Sequence, residues 1–151
     1  MNRVNLGCGT DIRAGWINVD CNKNPGVDVI QNLDEFPWKL KDNSAKVIIA
    51  FDILEHVKEP LKFLEEIHRI LKPGGVAEIR VPHCKFKGAY SNFGHRNFYH
   101  EDAIDWITWR VSSDLSNRKL SFKLLQKKVL RGRLRFWDKR VIIWRIQKKD
   151  E

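Results

Sequence analysis

Val4-Asn5-Leu6 runs directly into Gly7-Cys8-Gly9-Thr10, a strand-like segment ending in a Gly-x-Gly turn. Residues without a Cβ let main chain approach a ligand closely, and open α/β sheets bind ligands at the C-terminal ends of their strands. Gly-x-Gly alone also occurs in turns that hold nothing, so the surroundings must choose. A dinucleotide site would carry a third glycine three residues after Gly9, where Ile12 stands. A Walker loop would continue into Gly-Lys-Ser or Gly-Lys-Thr, and this chain does not. Asp20 ends the next strand-like segment, and a carboxylate there can accept hydrogen bonds from both hydroxyls of a ribose. These residues leave an adenosine-bearing ligand without a pyrophosphate.

The elements that must position them are short. Strand-like runs rich in Val and Ile occupy Arg3–Leu6, Trp16–Asp20, Val27–Leu33, Lys46–Phe51 and Val76–Val81. Between the last two, Pro60 opens a helix on which Leu61, Leu64, Ile67, Ile70 and Leu71 recur at helical spacing, and Lys72-Pro73-Gly74-Gly75 stops it. Strand, helix, glycine stop and strand make a βαβ unit, hence a parallel sheet. Pro82–Tyr99 is aromatic and polar, and His100–Val111 reads as an amphipathic helix on Ala103, Ile104, Trp106 and Ile107. Ser121–Leu130 and Arg140–Gln147 form an antiparallel hairpin around the tip 131–139. With 151 residues, no repeats and no linker, the chain is expected to be a single domain over 1–151.

Composition excludes several classes. Residues of the AVILMFWYC set make up 42% and charged residues 31%, enough for a core and unlike a disordered or collagenous chain. No apolar run reaches the ~18 to 20 residues of a membrane span, and MNRVNLGCGT lacks a signal-peptide core, so no membrane and a cytoplasmic location are expected. Cys8, Cys21 and Cys84 follow no stapling pattern, as suits free thiols in a reducing compartment. The net charge of +9 is concentrated: 118–149 hold 13 Lys and Arg against Asp138, a balance of +12. Such a hairpin can draw in RNA or another polyanion, or simply keep the protein solvated. Arg131, Arg133 and Arg135 alternate at strand spacing and could form a basic row, with Phe136 and Trp137 able to stack on bases or to cover the core.

Taken together, Leu6-Gly7-Cys8-Gly9-Thr10, Asp20, 42–50, Leu54-Glu55-His56-Val57 and Leu71-Lys72-Pro73-Gly74-Gly75 resemble class I S-adenosylmethionine-dependent methyltransferases of the "methyltransferase domain type 11" group. The resemblance covers roughly residues 3 to 110 and rests on the order and spacing of several motifs. It implies a Rossmann-like α/β fold, a mostly parallel seven-stranded sheet with a C-terminal antiparallel hairpin, and S-adenosylmethionine as cofactor. Carried over by position, Gly7, Cys8, Gly9 and Thr10 would lie beneath the methionine and ribose, and Asp20 on the ribose. Asn32-Leu33 would stand beside adenine, where similar chains carry Asp-Leu; the amide oxygen of Asn32 can still accept, and Asp34 is a nearby substitute. Phe51-Asp52 would approach the sulfonium. The chain departs from the family between Gly7 and Gly15, too few residues for the usual first helix. A parallel crossover normally takes a dozen or more, so a one-turn helix or a differently bent connection is expected.

Methyl transfer from a sulfonium is a displacement in which alignment alone can supply about 7 to 11 kcal/mol, so an enzyme reading does not require a general base. His95 is the first candidate for one and His83 the second, each weighed against a structural histidine; His56 is expected to brace the loop after the fourth strand. His83, Cys84, His95 and His100 match no standard zinc spacing, so no metal is expected. Cys84 lacks the partner cysteine of a cytosine-methylating pair, and Phe51-Asp52-Ile53-Leu54 is not the Asp/Asn-Pro-Pro-Tyr/Phe motif of amino-group methylation. The acceptor stays open. A nucleic-acid-binding module and a non-catalytic subunit on a degenerate scaffold are the alternatives, motivated by the basic hairpin and the short crossover.

Overall fold

The computed structural model describes residues 2–108, 120–134 and 137–149, without the side chains of 133–139. In chain order the elements are β1 (Asn2–Leu6), β2 (Ile17–Asp20), β3 (Val29–Ile30), β4 (Ala45–Phe51), α1 (Pro60–Ile70), β5 (Leu71–Pro82) and α2 (Lys87–Ser91). A 3-10 turn at Glu101–Ile104, α3 (Asp105–Thr108), β6 (Phe122–Leu134) and β7 (Trp137–Lys148) follow. Seven strands form one sheet in the order β3-β2-β1-β4-β5-β7-β6. β1 to β5 pair in parallel, whereas β7 runs antiparallel to both β5 and β6. The chain steps outward from β1 to β3 and returns to place β4 on the other side of β1. That reversal makes the C-terminal ends of β1 and β4 the sheet's ligand-binding crevice.

Strand alternation divides the sheet into two unlike faces. Val4 and Leu6, Ile48 and Ala50, Ala77, Ile79 and Val81, and Ile142, Trp144 and Ile146 are buried together beneath Phe63, Leu64, Ile67 and Ile70 of α1. Pro at the first helical position and His68 and Arg69 in the last turn suit the two ends of α1. Glu66 accepts from Trp38 N at 2.8 Å and binds Arg69, whose guanidinium also reaches Asp42 and the carbonyls of Leu40 and Trp38.

The opposite face carries no helix of α1's length among the described residues, though a parallel sheet usually buries both faces. A ladder of stacked cations and rings covers it instead. Arg3 and Arg13 lie 5.2 and 5.6 Å from the Trp16 ring, and Arg13 and Arg80 lie 5.4 and 4.7 Å from Phe51. Asp11, Asp52 and Glu78 pair with Arg13, Arg80 and Arg145. Arginine stems cover apolar strand surface while their heads stay wet, which lets this face meet water.

The short first crossover is solved without a helix. Asn5 of β1 and Asn18 of β2 stand opposite each other and are each 3% exposed. Asn5 Nδ2 donates to Asp11 O at 2.7 Å and to Asn18 Oδ1 at 3.3 Å; Asn18 Oδ1 accepts from Arg13 N at 3.0 Å, and its Nδ2 donates to Arg13 O at 3.1 Å. Two side-chain amides thus satisfy main chain that a helix would have satisfied internally.

Other boundaries differ from expectation. The run 27–33 shortens to a two-residue strand, since Gln31 turns inward to bond the main chain of Asn32, Glu35 and Lys39. The extended chain resumes at Leu71 directly after α1, so Lys72-Pro73-Gly74-Gly75 lies within β5 beside a bulge. The expected helix 100–111 is a 3-10 turn followed by the single turn of α3, and 109–111 lie outside the described residues. The hairpin strands run through most of the expected tip, pairing Arg131 with Arg140 and Leu134 with Trp137. The side chains of Arg133, Arg135, Phe136 and Trp137 lie outside the described residues. No helix among the described residues is long and apolar enough to cross a membrane.

Candidate functional site

At the crevice, β1 ends in a bend whose two glycines adopt left-handed φ of 65° at Gly7 and 51° at Gly9. A side chain is strained in that region, and at Gly9 an added Cβ would meet nothing within 4 Å, so the main chain there is bare toward open space. Asp20, at the end of β2 and 8% exposed, fixes the bend: its Oδ2 accepts from Gly9 N at 2.8 Å, while Oδ1 accepts from Asn22 N at 2.9 Å. Oδ1 also takes Asn22 Nδ2 at 3.3 Å and the Cys21 thiol at 3.7 Å, so Oδ2, with Gly9 N as its one donor, is the oxygen that can still accept from a hydroxyl. After β3, Asn32 Oδ1 accepts from Asp34 N at 3.1 Å and its Nδ2 donates to Glu35 at 3.0 Å, which holds an exposed amide at the cleft rim. Asp34 Oδ1 accepts from Lys58 N at 2.8 Å and ties this rim to the loop after β4.

Gly7, Asp20, Asn32 and Leu33 line one cleft, together with Asp34, Ile53, His56 and Val57. Cys8, Gly9, Thr10, Phe51 and Asp52 do not line it. Cys8 is buried below the bend, where desolvation first and Asp20 second push its thiol up, and Thr10 is exposed. Phe51 belongs to the cation ladder. Asp52 has a left-handed φ of 54° and turns to Arg80, whose Nε lies 3.1 Å from each carboxylate oxygen. Ile53 was not anticipated: a Cβ on Gly7 would lie 2.8 Å from Ile53 Cγ1, so this side chain occupies the space above the first glycine. The cleft is about 90 Å³, well below the ~300 Å³ at which small-molecule pockets usually begin. Polar groups and bare main chain therefore suit an adenosyl group, and its seating requires Ile53 to swing aside. A larger cavity of about 580 Å³, bordered by Leu61, Leu64, Tyr99, Trp106 and Trp144, lies on the α1 side and shares no lining residue with the cleft.

The loop after β4 also buries a carboxyl. Glu55 is 1% exposed, and its Oε2 has no hydrogen-bond partner among the described residues. Burial pushes its pKa from 4.5 up to about 7, with Asp52 adding to the rise and Arg80 opposing it. Burial first, then the Glu55 charge, also raises Tyr99. Beside Glu55, His56 Nδ1 bonds Gly94 O at 2.9 Å and His95 Nδ1 bonds Ala89 O at 2.7 Å, with the two rings 4.7 Å apart. A carbonyl only accepts, so each Nδ1 carries a proton and each Nε2 is left with its lone pair in the neutral ring. His56 braces the loop, as expected, and also borders the cleft. His83 is different. It is buried; its Nδ1 accepts from Lys85 N at 2.9 Å, and its Nε2 meets Glu101 at 2.6 Å. Both nitrogens are engaged, which leaves His83 no lone pair for an acceptor's proton. Glu101 is held below its usual value by main-chain hydrogen bonding first, then by His83.

Residues 1–112 match the model of a family described as "Methyltransferase domain". A probable S-adenosylmethionine-dependent methyltransferase of Mycolicibacterium smegmatis is 39% identical over 59 residues, 38% of this chain and 22% of that protein. The chain thus spans about a fifth of that relative's length. Among solved structures, a Methanosarcina mazei S-adenosylmethionine-dependent methyltransferase superposes with a TM-score of 0.71 at 15% identity, over 99% of this chain and 93% of the other. One from Thermotoga maritima, described as a possible histamine N-methyltransferase, gives 0.69 at 21% identity over 98% and 82%. At such identities the likeness concerns the fold.

Proposed function

Because this chain belongs to the methyltransferase domain family, of the class I S-adenosylmethionine-dependent type, we propose that it is a methyltransferase whose cofactor lies in the cleft between Gly7, Asp20 and Asn32-Leu33. When bound, S-adenosylmethionine supplies an electrophilic methyl group on a sulfonium that departs as a neutral thioether. The observation that supports the reading is the position of Asp20, whose buried carboxylate is pinned to the glycine bend at 2.8 Å through Oδ2, the oxygen that can still accept from a ribose hydroxyl. Asn32 and Leu33 border the adenine end, and Ile53, which fills the space above Gly7, swings aside to admit the ligand. Ile53, His56 and Val57 of the loop after β4 border the same cleft, and this loop would present the acceptor. His56, which borders the cleft, and His95 beside it each keep an Nε2 lone pair.

S-adenosylhomocysteine tests this directly. At ~100 times its dissociation constant it stabilises by about 2.7 kcal/mol, or roughly 5 to 10 °C in melting temperature for a domain of this size. Asp20→Ala abolishes that shift while the protein still melts cooperatively. A shift of equal size in the variant removes the ribose assignment.

A second reading concerns the hairpin. Residues 118–149 carry 13 Lys and Arg against one acid, and the β6–β7 hairpin they build sets Arg131 opposite Arg140. Binding of RNA or another polyanion there predicts retention that fades steeply between 50 and 200 mM salt. Retention insensitive to salt counts against it, and the alternative is an edge strand kept from self-pairing by its lysines.

A further inference from the structure

Two clusters near the sheet's C-terminal edge bring histidine and carboxylate together, and they differ in what is left unsatisfied. In the first, His83, His100 and Glu101 satisfy one another and the main chain: His83 uses both ring nitrogens, and Glu101 Oε2 lies 2.6 Å from His83 and 3.2 Å from His100. In the second, one carboxylate oxygen of Glu55 and one ring nitrogen each of His56 and His95 lie within 4.8 Å of one another. Here nothing is saturated. Glu55 is 1% exposed with Oε2 unpartnered, and both imidazoles have Nδ1 committed to a carbonyl. An Nδ1–H bound to a carbonyl is the outer-shell arrangement that orients a metal-ligating histidine and points its Nε2 lone pair at the ion.

We propose that Glu55, His56 and His95 form a binding site for one divalent transition-metal cation, with two imidazole nitrogens and one carboxylate oxygen as ligands. Nitrogen and carboxylate donors suit Zn²⁺, Mn²⁺ or Co²⁺ better than the hard, all-oxygen-seeking Mg²⁺. Such an ion sits ~2.1 Å from each ligand, so neighbouring ligand atoms stand about 3 to 3.4 Å apart. The three residues already bring ligand atoms within 4.8 Å of one another, and side-chain torsions supply the remaining approach. Three protein ligands leave coordination positions open, and His56 borders the cleft, so an acceptor oxygen or nitrogen could bind the ion there and lose its proton more readily. That role for the ion rests on the methyltransferase reading; the binding site itself does not. His95 then serves as a ligand and not as a free base.

The test is a titration of the full chain, stripped with EDTA, with Co²⁺ followed by its d–d absorption and with Zn²⁺ by calorimetry. One ion per chain is expected, weakened at least tenfold by Glu55→Gln and by His95→Ala and unchanged by His100→Ala. Near-ultraviolet circular dichroism of each variant separates lost ligands from lost fold. S-adenosylhomocysteine melting curves of the same samples report on the cofactor separately: Glu55→Gln should weaken Co²⁺ binding and leave the cofactor shift intact. Absence of Co²⁺ and Zn²⁺ binding at millimolar metal, or equal affinity in wild type, Glu55→Gln and His95→Ala, overturns the proposal.

Discussion

Replacing Glu55 by Gln isolates the buried carboxyl that the fold leaves partly unsatisfied. In the metal-stripped protein its pKa rises from 4.5 to about 7, so the folded state holds a proton that the unfolded chain has already lost across that interval. Stability therefore falls as pH rises from 4.5 through 7, and above 7 the folded protein carries a buried charge. Each unit of pKa corresponds to 1.36 kcal/mol, which gives a cost of about 3 kcal/mol at pH 8. Because the side chain is 1% exposed, solvent screening does little to reduce it. Gln keeps the shape and remains neutral. The variant should thus match wild type near pH 4.5 and exceed it by about 3 kcal/mol at pH 8. Urea unfolding in EDTA at half-unit pH steps measures the difference. Parallel stability curves for the two proteins across pH 5 to 8 would refute the reasoning, as would a variant that loses stability at the alkaline end.

Two other perturbations probe how the fold holds the site. Asn18→Leu fills a similar volume but strands Arg13 N and removes the Asn18 donor from the Trp16 carbonyl and from Asn5's network, so urea unfolding should show a loss of about 3 kcal/mol. A double-mutant cycle with Asn5→Leu should be strongly non-additive, since the two amides share one network, and simple additivity counts against helix replacement by side chains. Arg69→Met removes the cation that balances Glu66, which is 8% exposed, and should cost about 3 to 5 kcal/mol; a near-neutral change would show the pair to be dispensable.

The legible part of this protein was local. Alternating and helical apolar spacing marks β1, β2, β4, β5 and α1 because backbone geometry repeats every two or 3.6 residues, and such periods are written in neighbouring positions. The glycine bend and Asp20 could be read together because both sit at ends of adjacent strands, so their separation along the chain fixes their place in the crevice. The departures arise where distant segments decide. A missing first helix was visible, yet nothing local says that Asn5 and Asn18 take over its hydrogen bonds across a strand pair. Phe51 and Asp52, expected at the cofactor, are drawn instead into the arginine ladder by Arg13 and Arg80. His56 and His95 lie far apart in sequence and meet because the loop after β5 folds back over the loop after β4, where Arg96 N and Asn97 N both donate to Glu55 O. Sequence alone determined most of the strands, the main helix and the acid that closes β2 beside the glycine bend, since short-range periodicity specifies them. Tertiary structure decided which face meets water, how far Ile53 closes the cleft and which lone pairs converge beside it, since packing of remote loops sets burial and apposition.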